Sequence, residues 1–206
     1  CATYGLPEKM PIDEQTPQKP INPYGHSKLV FEQVLAWYAQ IHGIIPTCLR
    51  YFNASGASSE RGEHHRLETH LIPNVLLTAL GQKKEVEVFG ENHATPDGTC
   101  IRDYIHLKDL ASAHILALGR EKAGHYNVGT GNGYSVKQVI EMARKVTQRE
   151  IPMRSQPARA GDPPALVASS HKLQRELGWK PNHSGLEEIL TNAWDWHRTH
   201  PNGYAD

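Results

Sequence analysis

The 206 residues carry 22 Lys and Arg against 22 Asp and Glu, with 38% hydrophobic and 21% charged residues. This balance belongs to a globular chain rather than a disordered one. It offers no basic stripe for nucleic acid and no apolar run near the ~20 residues that span a bilayer. The three cysteines, Cys1, Cys48 and Cys100, are odd in number and far apart, which argues against a disulfide framework and for a reducing, cytoplasmic setting.

The chain opens at Cys1 without a Met, and Cys1 to Tyr4 reads as a strand end closed by Gly5, so the sequence is expected to be the back part of a longer protein. A proline-rich loop over residues 6–23 leads to Pro23, whose missing N–H suits the first turn of a helix. Val30, Phe31, Val34, Leu35, Tyr38 and Ile41 recur at helical spacing, and Gly43 marks the stop. Near the start of this helix Tyr24 and Lys28 are four apart, hence on one face. An ammonium beside a phenol favours the phenolate, the form that can take a proton from a hydroxyl. Taken alone, the spacing favours a surface Tyr and a solvated Lys over a catalytic pair.

The apolar run Ile44 to Tyr51 after that helix suggests a parallel, buried strand. Ligands in such sheets sit beyond the carboxyl ends of strands, so Tyr51, Phe52 and Asn53 are candidates for a cofactor wall and a substrate hydrogen bond. Residues 54–69 form a polar loop. Its His64, His65 and Glu68, with His70, raise a metal reading, but their order does not match His-Glu-x-x-His, and a solvated loop with no metal is expected.

A helix is expected over 70–80 and a half-exposed strand over 85–89. The strand at 101–107 is rich in charge, and there Arg102 meets either a phosphate or an acid such as Asp103. A helix at 109–118 and a strand at 125–128 follow. The cluster Gly129 to Gly133 reads as a turn, since it lacks a P-loop pattern. Ser135 and Gln138 form a capping box for a helix to Thr147. A strand at 151–155, a helix at 170–177 and a last helix from Leu186 to Thr199, capped by Ser184 and Glu187, complete the chain. Trp194 and Trp196 in that last helix are read as packing residues.

These motifs fall in a particular order. Asn22-Pro-Tyr-Gly-His-Ser-Lys28 is followed by Leu49-Arg-Tyr-Phe-Asn53, Phe89-Gly90, Asp97-Gly-Thr99 and Ile101-Arg-Asp-Tyr-Ile-His106. Then come Tyr126-Asn-Val-Gly129, Arg159-x-Gly-Asp162 and His200-Pro-x-Gly-Tyr204. Over essentially its whole length the chain resembles the UDP-glucose 4-epimerases of the extended short-chain dehydrogenase/reductase family. The resemblance implies tightly held NAD and interconversion of UDP-galactose and UDP-glucose. A tyrosinate takes the proton of the sugar 4-hydroxyl while carbon 4 gives hydride to NAD, and the 4-keto sugar turns over to receive hydride on its other face.

By the same resemblance Tyr24 is the acid/base tyrosine, and Lys28 bridges the nicotinamide ribose. Phe52 lies by the cofactor, beside Tyr51 at the same strand end. Asn53 is a contact on the diphosphate side, while Leu71 and the strand to Phe89 form the uridine region. His70 stands near the nucleotide where some relatives have Asn. Arg102 and Arg159 bind phosphate, and Asp162 meets a ribose. Leu166 matches a pocket position whose size separates plain from N-acetylated sugars, so some tolerance for the N-acetyl forms is expected.

Two departures stand out. No Gly-x-x-Gly-x-x-Gly loop occurs, and the family's catalytic Ser or Thr would fall one position before Cys1; Thr3, at an odd offset along a strand, would point to the opposite face.

The expected architecture is α/β, the C-terminal portion of a Rossmann-type doubly wound parallel sheet plus a smaller mixed α/β substrate domain. Residues 1–52, rejoined by 103–130, would belong to the NAD-binding domain, and 53–102 with 131–206 to the UDP-sugar domain. A homodimer without nucleic-acid or membrane partners is expected, and the isolated chain is expected to be an inactive part. A nucleotide-sugar dehydratase or decarboxylase of the same family, or a non-catalytic sugar-nucleotide-binding fragment, are the alternatives.

Overall fold

Asn22 starts the first long helix by accepting the Gly25 N–H on its side chain at 2.8 Å. With Pro23 at the first position, α1 runs Pro23–His42 and stops at Gly43, whose φ of 67° only glycine adopts at little cost. The computed structural model describes residues 1–183 and 185–204. Residues Ala2–Tyr4 form a 3-10 turn, not the strand end expected from the sequence. A strand needs a neighbouring ladder; here the Tyr4 N–H closes on the Cys1 carbonyl at 3.0 Å instead.

The first strand, β1 (Thr47–Tyr51), begins later than the apolar run because Pro46 precedes it, and Ile44 and Ile45 are left exposed. It pairs in parallel with β5 (Gly124–Val128), Thr47 opposite Gly124 and Tyr51 opposite Val128, as a two-stranded sheet among the described residues. The buried parallel strand expected here is therefore only half-covered.

Residues Asn53–Ser55, where a loop was expected from 54 on, form the short strand β2, which pairs in parallel with β4 (Ile101–His106). Helix α2 (Leu71–Ala79) and strand β3 (Val86–Phe89) lie between them, and α3 (Leu107–Leu118) follows β4. Strand β4 also pairs with β6 (Gly133–Ser135) and β8 (Ala165–Leu166), two strands that the sequence reading misses. Strand β7 (Met153–Gln156) starts after Pro152 and pairs with β3.

The capping box at Ser135 and Gln138 opens α4 (Val136–Thr147) as expected. Helices α5 (His171–Leu177) and α6 (Leu186–Thr199) end the chain. Gly185 is the N-cap of α6, and the cap expected at Ser184 lies outside the described residues.

Three apolar clusters hold these elements. The largest joins α2, β3, α4 and α6 through residues such as Val75, Leu76, Val88, Ile140, Ile189 and Leu190. Full burial of each such side chain contributes about 1.5–3 kcal/mol. A second gathers Ile105, Ala113, Tyr126, Val128, Leu173 and Trp179. The third is Tyr4, Ile12, Phe52, Leu166 and Ala168. Trp196 is buried and Trp194 packs against the largest cluster, as packing residues should.

By contrast the apolar stripe of α1 faces solvent, with Phe31, Trp37 and Ile41 each more than 60% exposed and Gly25 its only buried residue. No helix among the described residues is long and apolar enough to cross a membrane.

Candidate functional site

Side chains alternate along a strand, and β4 uses the alternation to do two different things. Asp103 is fully buried and accepts from the Thr130 N–H (2.9 Å) and hydroxyl (2.8 Å), the Gly131 N–H (2.9 Å) and the Ala168 N–H (3.1 Å). Burial pushes its carboxyl above the usual range while these donors pull it back. The turn at Gly129 to Gly133 is thus built around a carboxylate of the chain itself. Gly129 leaves room for it, since a Cβ there would stand 2.7 Å from Asp103 Oδ2.

The neighbouring Arg102 points the other way, into a cleft, where its guanidinium pairs with Asp162 and donates to the Ile101 carbonyl at 2.8 Å. The acid that meets Arg102 is therefore Asp162 and not Asp103.

The cleft has a volume of about 660 Å³. It brings together Asn53, His70, Leu71, Phe89, Arg102, Arg159 and Asp162, residues that lie up to 109 positions apart in the chain. Asn53 starts β2, His70 and Leu71 open α2, and Phe89 ends β3. The Arg159 guanidinium lies 3.8 Å from the centre of the Phe89 ring, a flat charged surface on an aromatic face.

Lys83, Lys84, Cys100 and Tyr104 share the lining, and nothing in the sequence pattern had singled them out. Cys100 Sγ lies 3.3 Å from His93 Nε2 and 3.7 Å from Asp162, and burial pushes its thiol up. Cations, acids and apolar walls together suit a ligand with an anionic middle and a flat polar ring.

The remaining candidates lie elsewhere. Leu166 is buried in the cluster with Tyr4 and Phe52, outside the cleft lining. Phe52 is in the same cluster, only 6% exposed, and Tyr51 bonds through its hydroxyl to His114 Nε2. Tyr24 and Lys28 are exposed on the first turns of α1, with Lys28 Nζ over the Tyr24 ring, 5.2 Å from its centre.

Their helix is held by a buried fork. Arg50 Nε donates to Glu32 Oε1 at 2.9 Å, and its Nη2 to Glu32 Oε2 at 2.7 Å; Nη1 reaches the Tyr4 hydroxyl at 2.8 Å. The Tyr4 hydroxyl in turn donates to Asn127 on β5 at 2.7 Å. Burial opposes the Glu32 charge, but Arg50 outweighs it and holds that carboxyl below the usual glutamate range.

Parallel pairing, crossover helices and a ligand-sized cleft lined by Asn53, just past the carboxyl end of β1, define a fragment of the Rossmann-type α/β fold. Within that class, the family model described as GDP-mannose 4,6 dehydratase matches residues 2–192, and the chain belongs to this family. The UDP-glucose 4-epimerase of Halalkalibacterium halodurans is 49% identical over 211 residues, covering all of this chain and 63% of the relative.

A crystal structure of a UDP-glucose 4-epimerase superposes with a TM-score of 0.94 at 47% identity, over 100% of this chain and 64% of its own. The Bifidobacterium longum UDP-glucose 4-epimerase, in complex with NAD+ and UDP, gives 0.93 at 39% identity over 99% and 63%. The chain thus spans less than two thirds of the length of these relatives, and the resemblance to UDP-glucose 4-epimerases stated from its motifs is borne out by their names.

Proposed function

We propose that this chain is the UDP-sugar-binding part of an NAD-dependent enzyme that interconverts UDP-galactose and UDP-glucose at carbon 4. One observation carries the reading: seven residues assigned to the substrate by motif resemblance line a single cleft. Arg102 and Arg159 would take the diphosphate, with Asn53 on the same side. Leu71 and Phe89 would flank the uracil, Asp162 would meet a ribose, and His70 would stand at the nucleotide edge. Leu166, in the third cluster and opposite Arg102 in the sheet, would tune sugar size indirectly rather than by contact.

The exposed phenol and ammonium of Tyr24 and Lys28 fit the nicotinamide-ribose end of NAD, with Tyr51 and Phe52 at the adjoining strand end. The chain's own glycines do not supply the Gly-x-x-Gly-x-x-Gly turn for the dinucleotide diphosphate. When bound, NAD would supply a reversible hydride acceptor for carbon 4. Tyr24 would hold and return the 4-hydroxyl proton, and Lys28 would orient the ribose.

In this reading residues 1–52 and 103–130 belong with the NAD-binding domain, and 53–102 with 131–206 form the UDP-sugar domain. The parallel pairing of β1 with β5 supports the first grouping and the α2, α4 and α6 cluster the second. The apolar stripe of α1 would be covered in a homodimer in the cytoplasm, with no nucleic-acid or membrane partner. The 206-residue chain alone would bind UDP without turning substrate over.

Calorimetric titration of the chain with UDP tests this. Binding that weakens about tenfold or more in Arg102→Ala, ~1.4 kcal/mol or above, is the expected result. Absence of UDP binding, or binding indifferent to Arg102, would overturn it.

A further inference from the structure

We propose that Glu63, His65, Glu68 and His70 form a binding site for a divalent transition-metal ion of the zinc class, at the edge of the cleft that Glu68 and His70 also line. The polar loop folds back on the start of α2 so that one ligand atom from each of the four lies within 4.8 Å of all the others. His70 Nδ1 is 2.7 Å from Glu63 Oε1 and 3.2 Å from Glu68 Oε1, and His65 Nε2 is 3.1 Å from Glu63 Oε1. Donors about 2.0–2.2 Å from a tetrahedral zinc ion stand roughly 3.4 Å from one another. These pairs are already near that spacing, so a cation can enter with side-chain rotations and little backbone movement.

The donor set is the second argument. Two imidazoles with two carboxylates suit zinc and its neighbours, and oxygen-only cations such as calcium much less. With both imidazoles neutral, the ligating form, the four side chains carry two negative charges, which one divalent ion balances. The acids are withdrawn from water, the side chains of Glu68 and Glu63 being 7% and 23% exposed. The imidazoles, 47% and 59% exposed, leave an open route for the ion.

The loop is also anchored before the site begins. The Tyr204 hydroxyl accepts from the Gly62 N–H at 2.9 Å and donates to the Gly62 carbonyl at 2.7 Å. Glu63 therefore leaves a fixed point, which lowers the ordering cost of binding.

The test uses the purified chain, stripped with a chelator and titrated with Zn2+ and, for its visible spectrum, Co2+. One equivalent should bind, Co2+ giving the absorption of a four-coordinate nitrogen and oxygen site. His65→Ala and Glu63→Gln lie outside the cleft lining, and circular dichroism checks that they fold. Each should weaken binding at least about tenfold, since loss of even an outer-shell partner costs roughly 10–100-fold. Tryptic cleavage after Arg66, between the ligands, should slow when the ion is present in the unsubstituted chain. Failure to bind one equivalent, or affinity and Arg66 protection unchanged in both variants, would overturn the site and assign any uptake to other histidines among the 13 in the chain.

Discussion

Helix α6 has 14 residues and buries six of them: Leu186, Ile189, Leu190, Ala193, Trp196 and His197. Helix α1 has 20 and buries one, Gly25. Both carry apolar residues at helical spacing. The apolar face of α6 meets α2 and α4 within the chain, whereas that of α1 looks out. An apolar stripe therefore shows that a helix has a partner to find, and does not say whether the partner is in the same chain. What ties α1 down is polar and local: the Glu32–Arg50 fork and the close approach of Gly25 to Ala2.

The largest effect should come from the fork. Glu32→Gln leaves the Arg50 guanidinium buried without its carboxylate and should cost about 3–5 kcal/mol in chemical denaturation. The contribution has a definite pH sense. Glu32 is held below its ordinary value of 4.5, so its stabilisation is complete above that value and is lost as the pH falls through the lower folded value. Acid unfolding followed by circular dichroism should be less steep in Glu32→Gln; an unchanged profile would deny the fork its role.

A pair of truncations sharpens the comparison of the two helices. Leu190→Ala, in the core, should cost about 2–5 kcal/mol. Trp37→Ala, at a site 63% exposed, should stay within about 0.5 kcal/mol. Equal costs would mean that the α1 stripe is covered in solution, and sedimentation would then report a dimer.

Gly25→Ala should fall between those two. A Cβ there would sit 2.3 Å from the Ala2 carbonyl oxygen, and backbone gives way poorly, so about 1–3 kcal/mol is expected. No measurable change would show that the turn at Ala2–Tyr4 does not hold α1.

The helices are legible because their ends carry chemistry: Pro23 at the start of α1, Gly43 after it, Ser135 with Gln138 at α4, and Gly178 beyond α5. Strands β2, β6 and β8 are not. Three or two residues cannot display an alternation, and these strands exist because β4 offers them edges.

In the site, strand 101–107 points to Arg102 but not to its acid, because Asp162 arrives from a loop sixty positions away. The resemblance assigns Leu166 to a pocket, while its burial with Tyr4 and Phe52 depends on packing that no local pattern contains. Glu63 is illegible in the sequence for a related reason. A scan for regular spacing considers His64 and His65, whereas the folded loop turns Glu63 toward Glu68 and His70.

Asp103 also bears on the order in which this chain takes shape. Its carboxylate is satisfied by donors 27 and 28 positions later, at Thr130 and Gly131, and by Ala168, 65 positions on. Until those segments arrive, β4 holds a charged side chain that has no reason to leave water. Closing such long loops slows folding more than it alters the final stability. The largest cluster draws its helices mainly from residues 136–193 and can gather before β8 docks, so in refolding experiments helical signal should recover ahead of the ability to bind a ligand in the cleft.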